Sequence, residues 1–119
     1  MRIIFFATYY EPYLQAFYNK SPGLASAPYA VQLERLIGDF FGAFGSYVLE
    51  CRRQGHDAHL IIANCRTLQR KWALENNAAF SETDWQFSLP LLQTRQLAPD
   101  IFFIGSMFQY YGSFLKEIR

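Results

Sequence analysis

The chain has 119 residues, 51% of them hydrophobic and 18% aromatic, with eleven Lys and Arg against ten Asp and Glu for a net charge of +1. One domain of ordinary size, about 100–150 residues, accounts for that length, and so apolar a composition excludes extended disorder. The near-neutral balance excludes charge-driven binding to nucleic acid or an anionic membrane, and no apolar run approaches the roughly 20 residues that span a bilayer.

Residues 2–8, Arg2-Ile3-Ile4-Phe5-Phe6-Ala7-Thr8, form a continuous apolar run bounded by polar residues. This is the pattern of a strand covered on both faces, as in a parallel sheet. The run is too short for a signal-peptide core and has no cleavage site, so the expected location is cytoplasmic. Residues 9–28 carry Pro12, Pro22, Pro28 and Gly23, which predicts a long loop. From Tyr29 onward, Leu33, Leu36, Ile37, Phe40, Phe41, Phe44, Val48 and Cys51 fall at helical spacing. Gly38, Gly42 and Gly45 interrupt that stretch and predict a break near 42–45, with Ser46 capping a second segment that runs to Gln54. Gly55 suits the left-handed residue that ends a helix, and Arg52 and Arg53 complement the negative end of its dipole.

Residues 59–63 read as a second buried strand with Asn64 at its carboxyl end, and 68–76 as a helix that carries Gln69 and Trp72 one turn apart. The stretch 81–87 is ambiguous. Ser88 and Pro90 predict a cap and a first-turn proline for a helix over 89–97 that stops before Pro99. Residues 101–105 are a third buried strand, and Gly112-Ser113 opens a last helix that reaches Arg119. Helices separate the strands throughout, so right-handed crossovers place them in one Rossmann-like parallel sheet of an α/β domain, in order 3-2-1. In a doubly wound sheet strand 1 is central. The expectation is therefore a fragment whose strand 1 lacks a neighbour, and self-association through that exposed sheet edge.

Ligands of open parallel sheets sit outside the carboxyl ends of the strands. The loop there after strand 1 carries Tyr9, Tyr10, Glu11, Tyr13 and Gly23, Asn64 follows strand 2, and Ser106 and Tyr110 follow strand 3. Gln69, in the first turn of the helix after Asn64, joins these candidates. Aromatic faces with hydroxyl tips suit stacking on a sugar. Glu11, the only carboxylate of its loop, suits a base or an acceptor of a ligand hydroxyl, and Asn64 offers an amide. The same residues also read as loop packing, a solvated acid and a turn former.

No GxGxxG follows strand 1, and the chain has neither a P-loop nor a nucleophile elbow, so no resident cofactor is expected. His56 reads as a ring capping the carbonyls of the preceding helix end. With His59, Cys51 and Cys65 at irregular spacing it makes no zinc site, and both thiols are expected to be free. A phosphoacceptor receiver needs clustered acids after strand 1, where Phe6-Ala7-Thr8 stands, and a cobalamin module needs Asp-x-His-x-x-Gly.

Strand 1, the proline-containing loop, the long helix and Arg53-Gln54-Gly55-His56-Asp57 before strand 2 resemble the amino-terminal domain of group 1 glycosyltransferases of GT-B fold. That family's pattern is a helix ending in Gly-His-Glu or Gly-His-Asp before strand 2. The segments Phe41-Gly42-Ala43-Phe44-Gly45-Ser46, Ile62-Ala63-Asn64-Cys65 and Leu68-Gln69-Arg70-Lys71-Trp72-Ala73 are similar to a spore-maturation-like subgroup, and Pro99-Asp100-Ile101 fits as well. The resemblance implies a parent protein that continues into a second domain binding a nucleotide-sugar donor, with this truncated amino-terminal domain contacting a sugar or glycan acceptor and inactive alone. The paired glycines of the family after strand 1 are not matched, since only Gly23 sits in that loop, and no catalytic residue carries over. The alternative is a noncatalytic Rossmann-like ligand- or protein-interaction module whose aromatic rim, including Tyr10 and Tyr111, makes the contacts.

Overall fold

A computed structural model of the chain describes residues 1–105 and 112–118. Strands β1 (Arg2–Ala7), β2 (Asp57–Ile62) and β3 (Ile101–Gly105) form one all-parallel sheet flanked by helices, an α/β architecture of Rossmann-like class. Helices α1 (Glu11–Asn19), α2 (Tyr29–Gly38) and α3 (Phe44–Arg53) lie between β1 and β2. Helices α4 (Arg66–Glu75) and α5 (Trp85–Leu97) precede β3, and α6 (Ser113–Glu117) comes last. Among the described residues no helix is long and apolar enough to cross a membrane.

The strand order is β2-β1-β3, which corrects the expected 3-2-1. β1 pairs with β2 from Arg2↔Asp57 to Ala7↔Ile62 and with β3 from Ile3↔Ile101 to Ala7↔Gly105. The connection from β2 to β3 carries two helices and reaches back past β1. It also changes face, since α5 packs Leu91 on the side of the sheet away from α2 and α3. Reversing direction and switching face together keep both crossovers right-handed. The bare edge expected on strand 1 is thus absent, because β1 is hydrogen-bonded on both sides.

Alternation explains the unbroken apolar run of β1. Ile3, Phe5 and Ala7 join Ala58, Leu60 and Ile62 beneath Leu14 and Phe17 of α1, Leu36 and Ile37 of α2 and Val48 of α3. Ile4 and Phe6 join Ile61 and Ala63 beneath Leu91 of α5 and Phe114 of α6. A strand buried on both faces has no position for a polar side chain. The third strand, expected to be buried, is not: no residue of β3 is fully buried, and Ile101 and Phe103 remain 44% and 50% exposed because β3 lies at the sheet edge. At the amino ends Arg2 ties the strands together: its amide donates to Asp100 Oδ2 at 2.8 Å, its Nε to Asp57 Oδ2 at 2.7 Å and its Nη1 to the Leu97 carbonyl.

Three local expectations are revised. The loop predicted over 9–28 contains α1, because Pro12 stands in its first turn, where the missing N–H has no intrahelical acceptor to lose. The break between α2 and α3 falls at residues 39–43, earlier than expected. Ser46 and Gly45 are inside α3, and a Cβ on Gly45 would lie 2.4 Å from the Ile37 carbonyl oxygen, so the glycine permits a close approach of two helices. Helix α5 begins at Trp85 behind a Ser81–Asp84 turn, whose Ser81 Oγ donates to Asp84 Oδ1 at 2.6 Å, and Pro90 lies inside the helix.

The end of α3 conforms to the glycine reading. Gly55, at φ 91, donates its amide to the Arg52 carbonyl at 3.0 Å, and the His56 amide donates to the Cys51 carbonyl at 3.0 Å. This is the paired backbone closure that follows a left-handed residue. The carbonyls are capped by backbone amides, which replaces the ring-capping role expected of His56.

Candidate functional site

The carboxyl ends of β1 and β2 open into a cleft of about 460 Å³, within the size range of small-ligand sites. The turn from β1 into α1, residues 8–12, forms one wall; Asn64 after β2 forms a second, and Gln86 of α5 a third. Strand order reverses at β1, and in open α/β sheets ligands gather where it does. A hollow of about 540 Å³ lies at the other end of β3, between α5 and α6. Its charged groups are engaged, Arg95 with the carboxylate of Glu117 at 3.0 Å and Asp100 with the Arg2 amide.

Asn64 organises the cleft. Its Oδ1 accepts from the Tyr9 amide at 2.9 Å, and its Nδ2 donates to the Tyr9 carbonyl at 2.7 Å and to Glu11 Oε1 at 3.2 Å. The side chain thereby continues the hydrogen-bond ladder of the sheet by one residue, holding the chain as it leaves β1 and orienting a carboxylate at the mouth. Glu11 is exposed in the first turn of α1, where a negative charge complements the helix dipole. No described residue donates a hydrogen bond to Glu11 Oε2. Tyr10 is 67% exposed beside it, and Pro12, the next residue of the same first turn, adds an exposed apolar surface.

The adjacent tyrosines diverge. Tyr9 is 6% exposed, borders the cleft, and turns its ring toward Tyr13 and Phe41, with ring centroids 6.0 and 5.3 Å away. Among the described residues its hydroxyl is buried without a hydrogen-bond partner, and burial pushes its pKa up to about 12. Tyr13 stacks on Phe41 at 3.9 Å and donates to Asp39 Oδ2 at 2.6 Å. Burial first and then the Asp39 carboxylate raise its pKa. Tyr18 donates to Gln32 Oε1 at 2.8 Å and accepts from the Cys65 thiol at 3.8 Å. Most of the ring density after β1 thus packs α1 onto α2.

Of the candidates read from sequence, Tyr9, Tyr10, Glu11 and Asn64 converge on the cleft, while Tyr13, Gly23 and Gln69 do not border it. Gly23 takes φ 88 before the 3₁₀ turn Leu24–Ser26. Gln69 is fully buried and donates from Nε2 to the Ile62 carbonyl at 3.1 Å, beneath the end of β2. Ser106 and Tyr110 lie outside the described residues. Gln86 and Thr8 are cleft residues that sequence reasoning missed. Thr8 was legible as the residue ending β1, whereas only the sheet order brings Gln86 of α5 to that place.

Burial pushes the Cys65 thiol pKa up, away from the thiolate form on which cysteine reactivity depends. His59 shares a 2.8 Å hydrogen bond with Asp57 Oδ1 at the foot of β2. Among the described residues no three His, Cys, Asp or Glu side chains are grouped to hold a metal ion. Comparison with known proteins finds no matching family model, curated protein or solved structure.

Proposed function

We propose that the chain is the acceptor-binding part of a glycosyltransferase, holding a sugar or glycan hydroxyl for transfer from a nucleotide-sugar donor. One observation carries the reading: a carboxylate fixed by a strand-end asparagine at the mouth of a cleft whose exposed wall is a tyrosine and a proline. Sugar rings present an apolar face and a rim of hydroxyl donors, and this pairing offers stacking surface beside an acceptor of hydrogen bonds. The likeness of Arg53–Asp57 and of the neighbouring segments to group 1 glycosyltransferases supports the same class. A ¹⁵N-resolved titration with a glycan panel tests it. Amide shifts at Thr8, Tyr10, Glu11 and Asn64 are expected; spectra unchanged across many glycans refute it.

A protein-interaction module is the second reading, favoured by the exposed apolar strip of Ile101 and Phe103 beside Tyr47, which is 47% exposed. Substituting serine for Ile101 and Phe103 should then abolish a self- or partner complex in sedimentation. On the saccharide reading the doubly substituted chain keeps its glycan shifts.

A further inference from the structure

The cleft also carries information about charge. Among the described residues Glu11 is the one carboxylate on its walls, and no lysine or arginine borders it. Arg66 lines a separate, adjoining hollow that Glu11 also borders. Its guanidinium is paired with Glu82, which Arg70 also approaches at 3.8 Å.

Helix α1 begins at the cleft, and a helix N-terminus ordinarily attracts anions through its free amides and dipole. Two residues cancel that attraction here. Pro12 removes one of the first-turn amides, and Glu11 adds a carboxylate to the same turn, whose charge exceeds the roughly half charge of the dipole and opposes an approaching anion. Glu11 Oε1 accepts from Asn64 Nδ2 at 3.2 Å, and among the described residues Oε2 keeps its capacity to accept from an entering group. An entering group therefore meets one carboxylate acceptor beside the hydroxyls of Thr8 and Tyr10, and no cationic side chain among the described residues of the wall.

We propose that the cleft selects uncharged or ammonium-bearing sugar rings and rejects sugar carboxylates and phosphate, with Glu11 as the selecting group. This rests on the saccharide reading above and narrows its substrate class. It also places any donor phosphate outside this cleft.

The test is a ¹⁵N titration of the full chain with four probes: methyl glucoside, glucosamine, glucuronic acid and inorganic phosphate. Methyl glucoside and glucosamine should shift Thr8, Tyr10, Glu11 and Asn64, with glucuronic acid and phosphate weaker by ~10-fold or more, as a like charge at contact distance imposes. Glu11→Gln, nearly isosteric and exposed, should bring glucuronic acid level with methyl glucoside and weaken glucosamine, in a chain whose far-ultraviolet circular dichroism is unchanged. Glucuronic acid or phosphate binding as tightly as methyl glucoside, or a ranking that survives Glu11→Gln, overturns the selectivity and leaves saccharide binding standing. If neither methyl glucoside nor glucosamine moves these amides, both the selectivity and the saccharide reading fall.

Discussion

Asn64→Ala removes the side chain that fastens the exit of β1. Two of its three hydrogen bonds serve the backbone of Tyr9, a residue only 6% exposed, at 2.9 and 2.7 Å; the third, to Glu11, is longer and exposed. A net contribution of about 1 kcal/mol per backbone bond, plus part of the desolvation cost of the stranded amide and carbonyl, gives a loss of about 2–3 kcal/mol. For a chain of this size that lowers Tm by about 10 °C. Urea denaturation followed by the fluorescence of the buried Trp72 and Trp85 reads it directly. Asn64→Asp supplies the control. The aspartate keeps the acceptor for the Tyr9 amide but sets a second carboxylate against Glu11, so it should be less stable than the alanine variant at neutral pH. Two carboxylates sharing one site raise the affinity of the pair for a proton. A folded-state value raised above the unfolded one means that the deficit shrinks as pH falls below about 5. An alanine variant within about 0.5 kcal/mol of the parent, or an aspartate variant indifferent to pH, would refute the clamp.

Gly45→Ala should destabilise by about 1–3 kcal/mol despite the better helix propensity of alanine, because the new Cβ meets the Ile37 carbonyl oxygen at 2.4 Å; Gly38→Ala, with nothing within 4 Å, should be neutral or stabilising in the same urea assay. Ala98, at φ 47 before Pro99, ends α5 in a left-handed conformation, so Ala98→Gly should gain up to about 1 kcal/mol in thermal melts. Tyr9, Tyr13, Tyr18 and Tyr29 all have folded pKa values raised chiefly by burial. Stability should be level up to about pH 10, where free tyrosine ionises, and then fall by as much as ~1.4 kcal/mol per pH unit for each of them. Tyrosinate absorbance should appear together with unfolding, and Tyr9→Phe should make the fall less steep.

Strands and the last turn of α3 were legible because short-range chemistry decides them. An apolar run bounded by polar residues has few conformations available, and Gly55 stands where only a left-handed residue closes the helix. Helix α1 was obscured by its prolines. Tyr13, Leu14, Phe17 and Tyr18 carry a helical period, and composition outweighed it because Pro12 reads the same in a first turn as in a loop. The sheet order was not legible, since a crossover of two helices is long enough to reach either side of β1. Neighbouring tyrosines show the same limit: Tyr9 and Tyr10 are identical in composition and differ from 6% to 67% in exposure because only one of them meets Phe41.

The sheet order and the chemistry of the cleft are connected. With β1 central, the turn leaving it lies between two strands and is short, so α1 starts directly at the reversal of strand order. In folds of this class that position commonly offers a helix N-terminus to a phosphate, approached over glycines. Here the turn is Thr8-Tyr9-Tyr10 followed by Glu11-Pro12, which supplies side chains where glycine would expose backbone, a proline where an amide would donate, and an acid where an anion would bind. Asn64 then spends its amide on that acid and on the backbone of Tyr9, away from the ligand space. The same backbone geometry that would hold a phosphate is thereby turned into an acceptor of hydroxyl and ammonium donors. Glu11→Gly or Glu11→Ser alone should consequently not create a phosphate site in the same ¹⁵N titration, because Pro12 still removes a first-turn amide and no glycine opens the turn before it.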